Sequence, residues 1–152
     1  MKADKKPQLP LNTRTDSVSA RDQIDQPEVI VEFLFDQGLL FISVNNIGAR
    51  PALKISVKFN KKLMGLGGKK EISALPLFKN IEFLGPNREI VTLLDTSSSY
   101  FVTKQPTKIS ARISYSDSEE QKYEATINYD LEIYRELVYL VPACSESERH
   151  DS

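Results

Sequence analysis

The chain has 152 residues, of which 40% are hydrophobic and 27% are charged, and its formal net charge is −1. These values are typical of one globular domain with terminal segments. They exclude a chain whose overall charge draws it to nucleic acid. No apolar run reaches the roughly 18–20 residues that a membrane-spanning helix needs. We therefore expect no nucleic-acid partner and no transmembrane segment.

The first 26 residues contain little that could form a core. Four apolar residues are scattered without a period among charged residues, prolines, serines and threonines: Leu9, Leu11, Val18 and Ile24. This pattern is typical of a flexible N-terminal arm. No apolar segment follows the charged start, so no secretory signal is visible and a cytoplasmic location is expected. A processed secreted form would show the same sequence.

The first two predicted strands flank the tight turn Asp36-Gln37-Gly38. Apolar residues alternate with others from Val29 to Phe35, which predicts a strand with one strongly apolar face. In the second strand, Leu39–Asn45, one face carries Leu40, Ile42 and Val44, while Leu39 and Phe41 share the other face with Ser43. A strand that is apolar on both faces is either central in its sheet or covered by a loop or an arm.

The middle of the chain mixes one clear strand with weaker signals. After a turn at 45–51, the segment 52–59 alternates strictly. This predicts an inward face of Leu53, Ile55, Val57 and Phe59 and an outward face of Ala52, Lys54, Ser56 and Lys58. The remaining segments are a weak strand signal at 75–78, a short extended piece at 81–84, a turn at 85–88, a strand at 89–94, and 100–102, which is either extended or packed as a loop.

The last two main strands have the clearest alternation. Apolar residues recur at every second position in 109–115 and again from Tyr123 to Ile133, and an acidic hairpin loop, 116–121, joins the two strands. Cations on the first strand and acids on the second are expected to pair across the polar face. The apolar patch at 137–141 is either a strand or a short helix.

These elements predict an all-β fold, an immunoglobulin-like antiparallel β-sandwich of about seven strands with flexible N- and C-terminal tails. The predicted organisation is an arm at 1–26, the sandwich at 27–142 and a disordered tail at 143–152. No long amphipathic period appears, which argues against alternating strands and helices.

Four short motifs carry a family resemblance: 44–48 (VNNIG), 51–52 (PA), 83–89 (FLGPNRE) and 113–117 (ISYSD). Together they resemble bacterial immunoglobulin-like modules of the CARDB and fibronectin type III kind. Those modules show an apolar-x-N-x-G turn, a later L-x-P-G turn and a penultimate strand that ends near Y-x-D. Asn87 stands where these modules have Gly after the proline. The resemblance covers about 27–133 and implies a binding or spacer module.

The residue types that carry catalysis or hold metals are sparse. The glycine-rich stretch at 65–70 fails the phosphate-loop pattern, because Leu63 and Lys70 stand where that pattern needs Gly and Ser or Thr. His150 is the only histidine and lies in the predicted tail, as does the only cysteine, Cys144. We expect no catalytic residues, no metal site and no cofactor.

One loop stands out as a candidate binding site. The segment 60–70 combines three glycines with four lysines, and apolar residues lie between the charges: Lys61, Lys62, Leu63, Met64, Leu66, Lys69 and Lys70. Exposed together, they would form a small apolar centre with a cationic rim, which suits an acidic protein partner or peripheral contact with a membrane. The alternative is that Leu63 and Leu66 fold back onto the core and the lysines keep the tip soluble.

The sequence therefore favours a non-enzymatic immunoglobulin-like module that mediates protein–protein interaction or acts as an accessory domain. The alternatives are a ligand-binding module for carbohydrate or lipid, and a hydrolase on a sandwich scaffold.

Overall fold

The computed structural model describes residues 25–139. In these residues nine strands follow one another in chain order: β1 (Val29–Asp36), β2 (Leu39–Asn46), β3 (Ala52–Phe59), β4 (Met64–Gly65), β5 (Lys70–Glu71), β6 (Ile81–Leu84), β7 (Arg88–Thr96), β8 (Lys108–Ser116) and β9 (Lys122–Asp130). Seven of them are main strands, while β4 and β5 form a separate small hairpin. The predicted N-terminal arm and C-terminal tail lie almost wholly outside the described residues and stay predictions.

The seven main strands form two antiparallel sheets that pack face to face. One sheet has three strands in the order β1-β2-β7, and the other has four in the order β9-β8-β3-β6. One core cluster lies between them, with Leu40, Ile42 and Val44 of β2 and Ile113 of β8 fully buried. The predicted all-β sandwich is confirmed, and β2, apolar on both faces, is indeed the central strand of its sheet.

Within residues 25–139, helical structure is confined to two short helices, α1 (Pro76–Lys79) and α2 (Ser97–Val102), and to 3-10 turns at Ile72–Ala74, Leu131–Tyr134 and Glu136–Tyr139. The weak strand signal at 75–78 was wrong. Pro76 has no backbone N–H to give to a sheet, and its fixed φ suits the first turn of a helix. No helix in residues 25–139 is long and apolar enough to cross a membrane.

The segment around Tyr100 is also helical, not extended. Thr96 caps α2, because its hydroxyl oxygen accepts from the backbone N–H of Ser99 at 3.1 Å. Tyr100 and Phe101 on this helix are buried in the core. Of the two alternatives for 100–102, extended or packed as a loop, the packed one is therefore correct, and the packed segment is helical.

The strict alternation of β3 is broken by a β-bulge. The pairing of β3 with β8 shifts between Leu53 and Ser56, and Lys54 within this interval has a φ of +53°. The extra residue moves Ala52 to the core side, where it is 0% exposed, and leaves Leu53 only half-buried. The predicted outward Ala52 and inward Leu53 were therefore wrong, while Ile55 and Val57 are buried as predicted.

The strand β9 ends three residues before its alternating pattern does. The Asp130 carboxylate accepts from the backbone N–H of Glu132 at 3.0 Å, and a 3-10 turn begins there. Leu131 is still buried, but Ile133 is 68% exposed and not part of the strand. The apolar side chains of β9 are only half-buried, because β9 is an edge strand. Leu140 and Val141 of the ambiguous apolar patch lie outside the described residues.

The VNNIG motif is a structural junction. Asn46 is 0% exposed and uses its full hydrogen-bonding capacity. Its side-chain oxygen accepts from the N–H groups of Glu28 (3.1 Å) and Gly48 (3.0 Å). Its amide nitrogen donates to the carbonyl oxygens of Arg50 (2.8 Å) and Leu84 (3.1 Å). One side chain thus joins the start of β1, the β2–β3 turn and the end of β6.

The backbone geometry explains two further residues of the motifs, Gly48 and Asn87. A Cβ added at Gly48 would lie 2.1 Å from the carbonyl oxygen of Gln26, so only glycine fits where the two segments cross. Asn87 has a φ of +60°, a conformation that asparagine adopts more readily than most residues. Its N–H donates to the Asn46 carbonyl at 2.8 Å, which ties this turn to the same junction.

Candidate functional site

An apolar surface covers the outer side of the three-stranded sheet. Cross-strand partners in an antiparallel sheet point to the same face, and the register places Leu34, Phe41 and Leu93 in one row. The next row contains Glu32, Ser43 and Val91. We call the apolar members of these rows and their neighbours the apolar outer face: Ile30, Leu34, Leu39, Phe41, Val91 and Leu93.

The apolar outer face is accessible at its β7 side. Val91 is 44% exposed and Leu93 is 37% exposed, while the members on β1 and β2 are half-buried. The outward residues of β8 and β9 are polar or charged instead, among them Arg112 and Thr126. The outer side of the four-stranded sheet also has one apolar pair, Leu53 and the 62% exposed Phe83, on β3 and β6. An apolar surface that extends over all three strands of a sheet is typical of an interaction surface.

The charged side chains in these cross-strand rows are all acidic. Glu32 lies opposite Ser43, Glu89 lies opposite Asn45, and Asp36 lies opposite Leu39 at the hairpin end. By contrast, on the outer side of the four-stranded sheet the cation Arg112 pairs with Glu124 at 3.7 Å, in agreement with the predicted cross-strand pairing. The apolar outer face therefore combines exposed hydrophobic area with acidic side chains in its rows.

The β1 edge of the three-stranded sheet is closed by tyrosine side chains. The hydroxyl of Tyr129 donates to the carbonyl oxygen of Val31, and that of Tyr134 donates to the carbonyl oxygen of Phe33 at 3.1 Å. Burial raises the pKa of Tyr129 well above its ordinary value, and the carboxylate of Glu32 raises it further. The phenol consequently stays protonated and keeps donating at neutral and moderately alkaline pH.

Among residues 25–139, the opposite edge, on β7, is covered only at its C-terminal end. The β4–β5 hairpin packs there: the N–H of Leu66 donates to the carbonyl oxygen of Leu94, and the N–H of Gly67 donates to the Asp95 carboxylate, both at 3.1 Å. From Arg88 to Leu93, no strand among residues 25–139 pairs with β7 other than β2. We call this stretch the open edge.

The hairpin approaches β7 so closely that a side chain at Gly65 does not fit. A Cβ at Gly65 would lie 1.9 Å from the carbonyl oxygen of Leu94. We expect Gly65→Ala to push the hairpin off β7 and to lower the free energy of unfolding by about 1–3 kcal/mol, as other overpacking changes do. The measurements are urea denaturation and hydrogen exchange of the Leu66 amide, which should exchange faster.

Gly85→Ala is the matched control for this prediction. A Cβ at Gly85 meets nothing closer than 3.7 Å, so this variant should unfold at nearly the wild-type urea concentration. Equal stability of Gly65→Ala and Gly85→Ala, with unchanged exchange at Leu66, would contradict the close hairpin contact.

The predicted docking loop is only partly assembled by the structure. Leu63 is 0% exposed and belongs to the core, so its predicted place in an exposed apolar centre was wrong. Its N–H donates to the Ser73 hydroxyl at 3.0 Å, and its carbonyl accepts from Ile72 at 2.8 Å, which holds it inward. Met64 is half-buried and Leu66 is 47% exposed. The alternative that both leucines fold back therefore holds for Leu63 alone.

The four lysines of this loop are exposed: Lys61, Lys62, Lys69 and Lys70. They flank the β4–β5 hairpin with Leu66 as the one strongly exposed apolar side chain between them. Contact of these lysines with an acidic protein or a membrane stays a prediction.

The apolar outer face was missed at the sequence level, although its signal was present. Leu39 and Phe41 were seen to make the second face of β2 apolar, and the apolar run in β7 (Ile90, Val91, Leu93 and Leu94) interrupts polar alternation. What was lacking was the pairing of β7 with β2, a contact between segments about 50 residues apart along the chain, which only the folded register supplies.

The described residues therefore define a class: an all-β sandwich domain with one open sheet edge beside an apolar face. A family model matches residues 9–135, and the chain belongs to that family, which is described as "Domain of unknown function (DUF8453)". No curated protein and no solved structure matches the chain.

Proposed function

We propose that the chain is a non-enzymatic immunoglobulin-like module that binds a protein partner, with an extended segment of the partner added to β7 and packed on the apolar outer face. The observation that carries this proposal is the open edge of β7, the strand whose side chains Val91 and Leu93 are exposed on the outer face. Strand addition supplies backbone hydrogen bonds for affinity, and alternate side chains of the added segment reach one face for specificity.

The immunoglobulin-like assignment is supported by the grouping of the strands. If the seven main strands are lettered A to G in chain order, one sheet holds A, B and E, and the other holds D, C, F and G. Three strands of each sheet, A-B-E and C-F-G, follow the immunoglobulin pattern, and the fourth strand pairs with the third. The junction at Asn46 and Gly48 further supports the resemblance to CARDB and fibronectin type III modules.

The edges of the three-stranded sheet favour addition at β7 over addition at β1. Tyrosine hydroxyls already occupy the carbonyl oxygens of Val31 and Phe33 on the β1 edge. A row of unpaired backbone groups at a sheet edge is a template for another strand, and natural sheets protect such edges with charges, prolines or bulges unless they are used. The open edge begins with the charged residues Arg88 and Glu89, and the register shifts between Leu93 and Asp95, but Ile90 to Leu93 carry none of these features.

The chemistry of the face specifies the partner segment. Every second side chain of an added strand would lie over the same side as Val91 and Leu93, so these positions are apolar in the partner. Acidic Glu89 lies on β7 itself, in the row next to that of Val91, so Lys or Arg at the end of the partner strand is favoured. The acidic partner expected for the lysine loop would be a separate contact at 61–70.

A lysine at position 91 tests the proposal. Val91→Lys places a charge on the outer face, where the side chain is exposed and the core is untouched. We expect this variant to lose a partner that the wild-type chain captures from native extract. When the purified partner is titrated, its Kd for the variant should be at least tenfold weaker than for wild type. Thr126→Lys on the polar outer face of β9 is the matched control and should bind like wild type.

Hydrogen exchange locates the contact. With the purified partner bound, amides of β7 between Arg88 and Leu93 should become protected, while those of β9 should not change. Equal binding by Val91→Lys and wild type, or protection confined to the β4–β5 hairpin, would overturn the proposal, and the hairpin result would point to the lysine loop.

A further inference from the structure

Two connections lie side by side at one end of the sandwich. β3 and β7 both end there and β8 begins there, with Phe59 opposite Ala111 and Thr96 opposite Leu39. The segment 60–70 follows β3 and includes most of the β4–β5 hairpin. The segment 97–108 follows β7 and runs through α2 to the first residue of β8. We call these two segments together the lysine pole.

The tip of the hairpin packs against α2 and the loop after it. A Cβ added at Gly67 would lie 4.0 Å from the hydroxyl oxygen of Ser99, and one at Gly68 would lie 3.9 Å from the side-chain nitrogen of Gln105. The N–H of Gly67 also donates to the carboxylate of Asp95, just before α2. Two segments that are distant in the sequence thus form one continuous surface.

Each segment of the lysine pole exposes one aliphatic side chain. Leu66 in the hairpin is 47% exposed, and Val102 at the end of α2 is 77% exposed. Leu66 has a φ of +53°, which a bulky residue rarely adopts, and backbone of this kind is concentrated at binding sites. The helix α2 buries Tyr100 and Phe101, which leaves Val102 on its solvent side. The fold therefore holds both aliphatic side chains outward.

The charged side chains of the two segments are all positive. The segments 60–70 and 97–108 contain no Asp or Glu. They carry six exposed lysines: Lys61, Lys62, Lys69, Lys70, Lys104 and Lys108. The exposed Leu66 and Val102 therefore lie within a cationic surface.

The neighbouring acids offset this charge only in part. Asp95 is 3% exposed, and its carboxylate accepts from the backbone N–H groups of Gly67 and Thr96. Glu132 accepts two hydrogen bonds of 2.8 Å from Arg135, whose guanidinium lies over the Phe101 ring of α2. The other acids near this end, among them Asp36, Glu71 and Asp130, face six lysines. Positive charge stays in excess around the two aliphatic tips.

An anionic lipid bilayer fits this surface better than an acidic protein does. Leu66 and Val102 protrude from separate tips, so a rigid protein would need two matching pockets, whereas a bilayer takes up aliphatic side chains wherever they enter. Lysines beside such tips meet the anionic headgroups, and each adds to the attraction.

We infer that the lysine pole binds the surface of an anionic bilayer, with Leu66 and Val102 at the boundary between headgroups and acyl chains. This site is separate from the apolar outer face, and its test needs no protein partner. A failure of this inference is therefore distinguishable from a failure of the proposed function.

A single tryptophan tests insertion, because the chain has none of its own. Val102→Trp places it on the exposed end of α2. The probe is a vesicle of phosphatidylcholine with about 30% phosphatidylserine at about 0.05 M salt, where screening is weak. We expect a blue shift of the emission and quenching by lipids that are brominated on the acyl chain, and neither with phosphatidylcholine alone. Phe83→Trp, at a 62% exposed position of the opposite end, is the matched control and should not respond.

Paired lysine substitutions in the Val102→Trp background test the role of charge. Lys69→Ser with Lys70→Ser should weaken vesicle binding roughly tenfold or more. Lys54→Ser with Lys122→Ser removes the same charge near the other end of the four-stranded sheet and should bind like its parent. Salt at about 0.3 M should weaken binding of the parent, because the attraction is screened.

Three results with vesicles would overturn the inference: no response of Val102→Trp, an equal response of Phe83→Trp, or equal binding by the two lysine pairs. Binding without quenching would show attraction of charges without insertion and would also overturn it. A parallel titration with soluble polyglutamate, followed by hydrogen exchange, addresses the other partner. If polyglutamate and not the vesicle protects the amides of the β4–β5 hairpin, the lysine pole binds an acidic protein and the inference is wrong.

Discussion

Replacement of Asn46 by alanine is expected to lower the free energy of unfolding by at least about 3 kcal/mol. The change removes four hydrogen bonds and leaves the Gly48 N–H and the Leu84 carbonyl oxygen buried without their partner. Each unsatisfied buried group costs on the order of 1–3 kcal/mol. Because the side chain joins three segments, loss at one contact is not offset by the others. The measurement is the urea midpoint, followed by circular dichroism.

Two further variants sharpen this prediction. Asn128→Ala, at an exposed position of β9, should change stability by less than about 1 kcal/mol. Asn46→Asp keeps the oxygen that accepts from Glu28 and Gly48, but it places a second oxygen beside the carbonyls of Arg50 and Leu84. It should therefore be about as destabilising as alanine. A near-wild-type midpoint for Asn46→Ala would show that the junction is held by other contacts.

Truncation of Ile113 is expected to cost about 2–5 kcal/mol, as for a fully buried aliphatic side chain. Ile113 is 0% exposed on β8, which lies inside its sheet between β3 and β9. Its cross-strand neighbours are Val57 and Ala125, so little can move to fill the cavity. The measurement is again the urea midpoint with an unchanged slope, which would show that compactness is retained.

Ile127→Ala is the comparison built into the chain. Alternation alone predicts the same loss for both isoleucines, but Ile127 lies on the edge strand β9 and is only half-buried. Its truncation should cost roughly half as much, since the transferred apolar area is smaller. Equal losses would mean that β9 is covered by residues outside the described part of the chain.

The fold was readable where local pattern and local geometry agree. In β1, β2 and β8 a period of two gave the strands, their turns and their buried faces. The period of two gave the wrong faces around Lys54, where β3 has a bulge. The backbone conformation of one residue there changes the face on which its neighbours lie, and the alternation of side chains does not show it. The period of two failed again at Ile133, where Asp130 starts a turn inside an unbroken apolar alternation.

The candidate site was less readable than the fold. The lysine-rich loop attracted attention because glycines and charges are visible in one dimension, yet Leu63 within it is a core residue. That β7 has the open edge depends on which strand lies beside which. It also depends on two tyrosines that close the β1 edge from 98 and 101 residues further along the chain. Such relations arise from topology, and no window of sequence contains them.

The unequal edges of the three-stranded sheet limit how copies of this protein can assemble through it. A sheet that grows without limit from molecule to molecule needs two free borders, one to receive a strand and one to offer the next. Here Tyr129 and Tyr134 occupy carbonyl groups on the β1 border. If a strand is added at β7 as proposed, growth of the sheet should therefore stop after a single step, and we expect no long fibre along this sheet.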